Sequence, residues 1–320
     1  MYETYLWKIK PLSSYLTPWQ SDTVYGHMLW GLALVFGEKE VKSAISEFKL
    51  GNPPFIVSDG FIDGNMPFLK KDNLSREDSK ELSQKLNISL GEIIKSRKVI
   101  NKIKYLNLDE FNMLRGDYTI YDYTLDKLKN IKNLNLTEEK KVIENIVMHN
   151  VINRTSNSTT DDGLYFTREI FTNKDIYIFM KVRKDYPIEK IKETLKFIES
   201  NGYGKRVGSG KGDFKTISFE KFNGFTEIKD GNAFVVLSNY IPKENDYEEV
   251  IYSNHIVKFA KVANLSKYSD IPFKKPFSCF IQGSIFRKGK NSIVGKVLEN
   301  IHVDTDVVQI GIPFILEVKI

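Results

Sequence analysis

The stretch Asn201-Gly202-Tyr203-Gly204-Lys205-Arg206-Val207-Gly208-Ser209-Gly210-Lys211-Gly212-Asp213 places five glycines, two lysines and one arginine in thirteen residues. Glycine reaches φ > 0 and carries no side chain to block an approaching group. Such a loop can curl and bring backbone N–H groups toward anionic oxygens. The cations add charge, and Tyr203 adds a flat apolar face. The combination suits a chain of phosphates with bases, meaning nucleic acid; a flexible solvated turn is the alternative. A P-loop is excluded. That pattern, G-x-x-x-x-G-K-[ST], follows a strand and opens a helix. Here the spacing from Gly204 to Gly210-Lys211 is wrong, Gly212 follows the lysine, and a helix precedes the loop. A dinucleotide fingerprint fails for the same reason.

Working outward, Ile188, Ile191, Leu195 and Ile198 form the apolar stripe of that preceding helix, with Pro187 in its first turn and Gly202 just beyond its end. Phe214 to Phe219 reads as a strand after the loop. Upstream, Ile176 to Val182 is an apolar run of strand length. Before it, Leu164, Phe166 and Ile170 alternate with Tyr165 and Thr167, which predicts another strand. At the start of the chain, residues 2–10 read as a strand with Tyr5, Trp7 and Ile9 on one face. A helix follows over Ser21 to Gly37, with Ser21 as N-cap, Asp22 at the positive end and Gly37 as the C′ residue. Gly26 and Gly31 inside it each cost about 1 kcal/mol against alanine, which close approach of a backbone or ligand would offset.

Residues 70–150 are Lys-, Asn- and Leu-rich, with short helical patterns. Ser75 with Asp78 can open one as a capping box. Lys95, Arg97, Lys98, Lys102 and Lys104 form either a basic contact surface or a solvated helix face. Read with 60–160 as an insertion, the order is strand, helix, strand, strand, helix, glycine loop, strand. This is βαββαβ, the ferredoxin-like or RRM-like arrangement. The predicted organisation is an N-terminal unit over 1–220 and a β-rich unit over 221–320. In the second, Ala233–Tyr240, Ile256–Leu265, Phe277–Phe286 and Val307–Ile320 are strand candidates. Pro313 makes the last an edge or bulged strand. The fold class is α+β.

The 320 residues carry 41% hydrophobic and 28% charged residues, enough for a core and too apolar for a disordered chain. The net charge of +6 permits a polyanionic partner. The single cysteine, Cys279, excludes an internal disulfide and fits a reducing compartment; its place between Phe277 and Phe280 predicts burial. MYETYLWKIK has no signal-peptide core and no run reaches a membrane span, so a cytoplasmic protein is expected.

The four histidines, His27, His149, His255 and His302, lack metal-ligand spacing, so no metal and no cofactor is predicted. His27 could act as a general base in RNA cleavage, contact RNA, or be packed and hydrogen-bonded. The acid pairs Asp161-Asp162 and Asp304/Asp306 form no evident two-metal site. Arg154, in the polar segment 150–160, can grip a phosphate bidentately or simply lie in a surface loop.

Several segments together resemble one family. Trp19-Gln20-Ser21-Asp22-Thr23-Val24-Tyr25-Gly26-His27 resembles the helix start S-D-T-[IVL]-[FY]-G-[HA]. Ser58-Asp59-Gly60-Phe61, with Gly64 and Pro67, resembles S-D-x-F-P-x-G-x-L-P, with Ile62 in place of the first proline. Lys102 to Phe111 resembles K-K-x-x-[YF]-[IL]. Ile152-Asn153-Arg154 followed by Gly163-Leu164-Tyr165 resembles I-[DN]-R…G-L-[YF], and Gly202 to Gly212 resembles the family's glycine loop. The chain is thus similar to the RAMP superfamily of CRISPR systems, and within it to the fourth subunit of the type III-A Csm effector complex. The resemblance implies two RRM-like RAMP domains, the first carrying a thumb-like insertion. It implies a non-catalytic subunit that holds the repeat-derived 5′ handle of crRNA. Such a subunit bridges the polymerase-like large subunit and the backbone RAMP subunit, and meets target RNA only indirectly. The RNA-binding set it implies is Ser21, His27, Arg154, Gly202, Gly204, Lys205, Arg206, Gly208, Ser209, Gly210 and Lys211. The alternative is a repeat-specific endoribonuclease of the same superfamily with His27 as general base.

Overall fold

The computed structural model describes residues 1–129, 142–262 and 271–320; the side chains of Asp161 and Asp162, and residues 263–265 of one predicted strand, lie outside the described set. The chain begins with β1 (Tyr2–Pro11), α1 (Ser21–Phe36), α2 (Glu38–Lys49) and β2 (Phe55–Ile62). A long excursion follows: β3 (Met66–Pro67), α3 (Arg76–Leu86), α4 (Leu90–Ile100), β4 (Tyr105–Leu106), α5 (Leu108–Arg115), α6 (Ile120–Lys129), β5 (Ile143–Asn153) and β6 (Ser158–Phe171). The chain returns through β7 (Ile176–Arg183), α7 (Ile188–Asn201) and β8 (Phe214–Lys221).

The first sheet has the order β2-β7-β1-β8, every pair antiparallel. Its second strand is therefore 55–62 and not 164–170. The alternation at 164–170 does make a strand, but β6 pairs with β5 in a separate hairpin. Alternation marks a strand and says nothing about its partner. The segment 150–160, which reads in sequence as either a phosphate grip or a surface loop, is the end of that hairpin.

One face of the sheet carries Trp7, Ile9, Ile178 and Met180. They share a core with Val24, Met28 and Leu32 of α1 and Ile191, Leu195 and Ile198 of α7. Each such side chain stabilises the fold by about 1.5–3 kcal/mol through burial, so Met28→Ala costs about 2–5 kcal/mol. Gly31 permits the two helices to touch: a Cβ there would lie 2.7 Å from Thr194 Cγ2. Gly26 meets nothing within 4 Å among the described residues, so no approach within the chain itself offsets its cost there. Ser75 and Asp78 form the capping box of α3 as expected.

The remaining strands are β9 (Ala233–Val236), β10 (Tyr247–Tyr252), β11 (His255–Lys258), β12 (Phe277–Phe280), β13 (Ile285–Lys288), β14 (Val297–Leu298), β15 (Gln309–Ile310) and β16 (Ile315–Val318). β10-β13-β9-β16 form a second antiparallel sheet. Numbered by their own succession, both sheets run second-third-first-fourth. Among the described residues no α-helix follows α7, and the described parts of the second sheet's crossovers are irregular chain and two-stranded ladders. The predicted strand 277–286 splits into β12 and β13, which join different sheets. The terminal run breaks around Pro313 into β15 and β16, and β16 is an edge strand, as a proline predicts. Cys279 is buried, which pushes its thiol up to about 11.

The second face of the first sheet is covered. Phe179 of β7 packs on Phe225, Phe222 and Phe314, at ring distances of 4.7, 5.0 and 6.3 Å. One core cluster therefore draws on both sheets. Among the described residues no helix is long and apolar enough to cross a membrane.

Candidate nucleic-acid interface

The glycine loop has an inner half built by packing and an outer half facing solvent. Gly202 ends α7 with φ 76°, and a Cβ there would lie 2.2 Å from Val207 Cγ1. Tyr203 N–H donates to Gly212 O and Gly212 N–H to Ser14 O, both at 2.8 Å. A Cβ on Gly212, at φ 71°, would lie 1.9 Å from Tyr203 O. Gly204, at φ 80°, faces Thr17, which a Cβ would reach at 2.7 Å. These three glycines are required by the protein's own packing and by their positive φ.

Tyr203 offers no face to a base. It is 1% exposed, stacks on Trp19 at 3.7 Å and 8°, and donates its hydroxyl to Pro18 O at 2.9 Å. An aromatic in a glycine run reads as a platform in sequence; the indole 184 positions earlier takes that platform. His27 packs on the same ring at 5.0 Å, and its Nε2 accepts the Gly204 N–H at 3.0 Å. Burial pulls its pKa down to about 4. A neutral imidazole whose Nε2 is already accepting positions the loop and is poorly placed to take a proton from a substrate hydroxyl.

The outer half turns at Arg206, which holds the left-handed conformation with φ 63°. A short 3-10 turn follows over Val207–Ser209, and Gly210 is again left-handed at φ 74°. Lys205, Arg206, Gly208, Ser209 and Gly210 are exposed, and a Cβ on Gly208 or Gly210 would meet nothing within 4 Å. This is the part of the loop that an external phosphate can reach.

The base of the β5–β6 hairpin joins the loop through contacts that sequence reasoning missed. The Arg206 guanidinium lies 4.7 Å over the Tyr165 ring and donates to its hydroxyl at 2.9 Å. Tyr165 stacks on His149 at 5.0 Å, and His149 Nε2 lies 2.8 Å from Thr167 Oγ1. Lys211 is not free for a phosphate. Its Nζ bonds Glu169 at 2.7 Å and Ser14 Oγ at 3.0 Å, and Glu169 is 1% exposed. Desolvation pushes the Glu169 carboxyl upward, but Lys211 and Ser14 outweigh it and hold it below the ordinary range. The only hint in the sequence was Tyr165, Thr167 and Glu169 on one face of one strand.

Ser21 is fully buried and is not the N-cap; Gln20 is. The acceptor at this helix start comes from β2: Asp59 Oδ1 takes the Ser21 N–H at 2.7 Å. The Ser21 hydroxyl accepts from Asn239 N–H at 2.9 Å, while Asp22 meets Asn239 at 2.9 Å and Lys258 at 2.6 Å. Ser21 therefore ties α1 to the segment that follows β9. Arg154 is exposed in the hairpin turn, between Asn153 and Ser158. Seven residues of β6 separate Ser158 from Tyr165, on the order of 23 Å of extended chain, so Arg154 does not join the loop. The hairpin also shows an apolar outer face, with Met148 opposite Phe166 and both about two-thirds exposed.

No family model and no curated protein matches the sequence. Solved structures do match in fold. One is the Csm4 subunit in a crystal structure of a Csm3–Csm4 subcomplex of the type III-A CRISPR-Cas interference complex. It has a TM-score of 0.61, 14% identity, and cover of 99% of this chain and 100% of that one. Another is the Csm4 subunit of a Csm1–Csm4 cassette in complex with AMPPNP, with a TM-score of 0.58, 16% identity, and cover of 99% and 98%. Along its whole length, this chain has the fold of Csm4 from type III-A CRISPR complexes.

Proposed function

We propose that this chain is the crRNA-holding, non-catalytic subunit of a type III-A interference complex. The likeness of the whole fold to Csm4 carries this reading. In it, residues 1–220 and 221–320 are two ferredoxin-like RAMP units, supported by the shared strand order of the two sheets. The excursion between β2 and β7 is the thumb, with the β5–β6 hairpin as its projecting part. The exposed outer loop, Lys205 to Gly210, takes phosphates of the 5′ handle. Exposed cations and unobstructed glycine backbone suit single-stranded RNA, whose phosphates dominate affinity. Gly202, Gly204, His27 and Lys211 serve the same site indirectly, by holding the loop in shape. The chain joins a polymerase-like large subunit to a backbone RAMP subunit.

No contact favours the endoribonuclease reading, because the Nε2 of its one candidate base is occupied by Gly204. Two experiments test the proposal. Co-expression with the large and backbone subunits is expected to yield one complex carrying an RNA with a defined 5′ handle. Recovery of the chain alone, free of both partners, overturns the assignment. Incubation of the lone protein with repeat RNA is expected to leave the RNA intact; site-specific cutting lost in His27→Ala transfers the assignment to the enzyme.

A further inference from the structure

A cavity of about 790 Å³ opens at the far end of the first sheet from the glycine loop, lined by the first residues of β1, the last of β7 and β8, and β16. β1 is ten residues long, so roughly 30 Å separates this cavity from the loop. Four cationic side chains line it; Lys221 is paired with Glu3 and Lys184 is exposed, which leaves Lys181 and Arg115 as the inner two. Lys181 of β7 lies over the Phe314 ring at 4.9 Å, and the bond its Nζ makes is to Ile315 O at 2.8 Å. Arg115, the last residue of α5, is 2% exposed. Its guanidinium bonds Asn112 Oδ1 at 2.9 Å and the carbonyls of Thr226 and Glu317, and its buried Nε has no partner.

Among the described residues, the hydrogen-bond partners of these two groups are all neutral. The cavity's acids are engaged or peripheral: Glu3 pairs with Lys221, Glu317 with Lys288, and Glu227 is exposed at the rim. Burial draws Lys181 down to about 8 and Arg115 to about 10; the nearby Glu317 carboxylate partly offsets this for both, and Arg115 disfavours the charge on Lys181 to a smaller extent. The Glu317 carboxylate is itself paired with Lys288, so two desolvated cations beside an open cavity remain costly until a further anion completes them. The volume falls in the range of small-ligand sites. Phe222 and Phe225 line the same space, with ring centroids 5.0 Å apart.

We infer that this cavity binds a nucleotide, its phosphate held by Lys181 and Arg115 and its base against Phe222 and Phe225. The shared chemistry is a phosphate with an attached base, supplied by a free nucleotide or by the end of an RNA strand. Calorimetric titration of the full chain with AMP, inorganic phosphate and a 5′-phosphorylated RNA tetranucleotide tests it. AMP or the tetranucleotide is expected to bind more tightly than phosphate, and the tighter of the two identifies the source. Lys181→Met is expected to weaken that binding at least about tenfold, as loss of a charged hydrogen bond does. Its urea midpoint should not fall, because an uncompensated buried cation has been removed. Phe225→Leu is expected to weaken AMP but not phosphate. Alanines at Gly208 and Gly210 should change nothing, which keeps this site separate from the loop. Silence of all three probes at millimolar concentration, equal affinity for phosphate and AMP, or unchanged binding in both Lys181→Met and Lys181→Gln overturns the inference.

Discussion

Lys211→Met isolates the pair that fixes the hairpin to the glycine loop. The carboxylate of Glu169 is 1% exposed and the Lys211 side chain 24%. Removing one partner of a fully buried pair costs about 3–5 kcal/mol, because the other charge stays behind in low dielectric. Partial exposure of the lysine, and the Ser14 hydroxyl still bonded to Glu169 at 2.6 Å, reduce this to about 2–3 kcal/mol. Urea unfolding of Lys211→Met, Glu169→Gln and the double variant reads it, with a coupling of about 1–3 kcal/mol expected from the cycle. The pH dependence has a definite sign. In the native chain Glu169 titrates below the ordinary 4.5, so its contribution is present above that pH and is lost as pH falls through the folded pKa. Without Lys211 the buried carboxyl titrates higher, so the deficit of Lys211→Met should be larger at pH 7 than at pH 4. A third readout separates packing from recognition. A lysine that contacts RNA phosphate lowers the salt slope of binding by about 1 when removed, whereas Lys211 should leave the slope unchanged. A coupling below about 0.5 kcal/mol together with a reduced slope would refute the reasoning and return Lys211 to the RNA.

Gly212→Ala and Gly208→Ala should differ sharply. The first drives a Cβ to 1.9 Å from Tyr203 O and is expected to cost more than about 3 kcal/mol in urea unfolding. The second points into open space and should leave stability within about 0.5 kcal/mol while weakening handle-RNA binding; unchanged RNA affinity makes the loop purely structural. For His27, depression from 6.5 to about 4 means the folded chain resists protonation. Stability should therefore be full above pH 6.5 and fall by up to about 3 kcal/mol toward pH 4, a component that His27→Gln abolishes in pH-dependent unfolding. On the hairpin, Met148→Ser with Phe166→Ser should change monomer stability by less than about 0.5 kcal/mol each, as both side chains are mostly exposed. Target-RNA binding by the assembled complex is expected to weaken; full retention would mean that the apolar face has no role there.

What the sequence determined by itself is local. The stripe of α7, its end at Gly202, and the capping box of Ser75 and Asp78 are written in residues three or four apart, and the structure repeats them. The strand at 164–170 is equally local in its alternation and lies within β6. Tertiary structure alone decided its partner, because period-two alternation is the same in a central strand and a hairpin. The same holds for the site. Glycine density announced a special loop, but which glycines are bound by sterics depends on Thr17, Tyr203 and Val207 packing beside them. Lys211 reads as a phosphate ligand until Glu169 is buried against it, and Tyr203 as a base platform until Trp19 covers it. Charge and ring type are properties of one residue; burial and partnership are properties of the packed chain, and these divided the loop into a half that supports and a half that can bind.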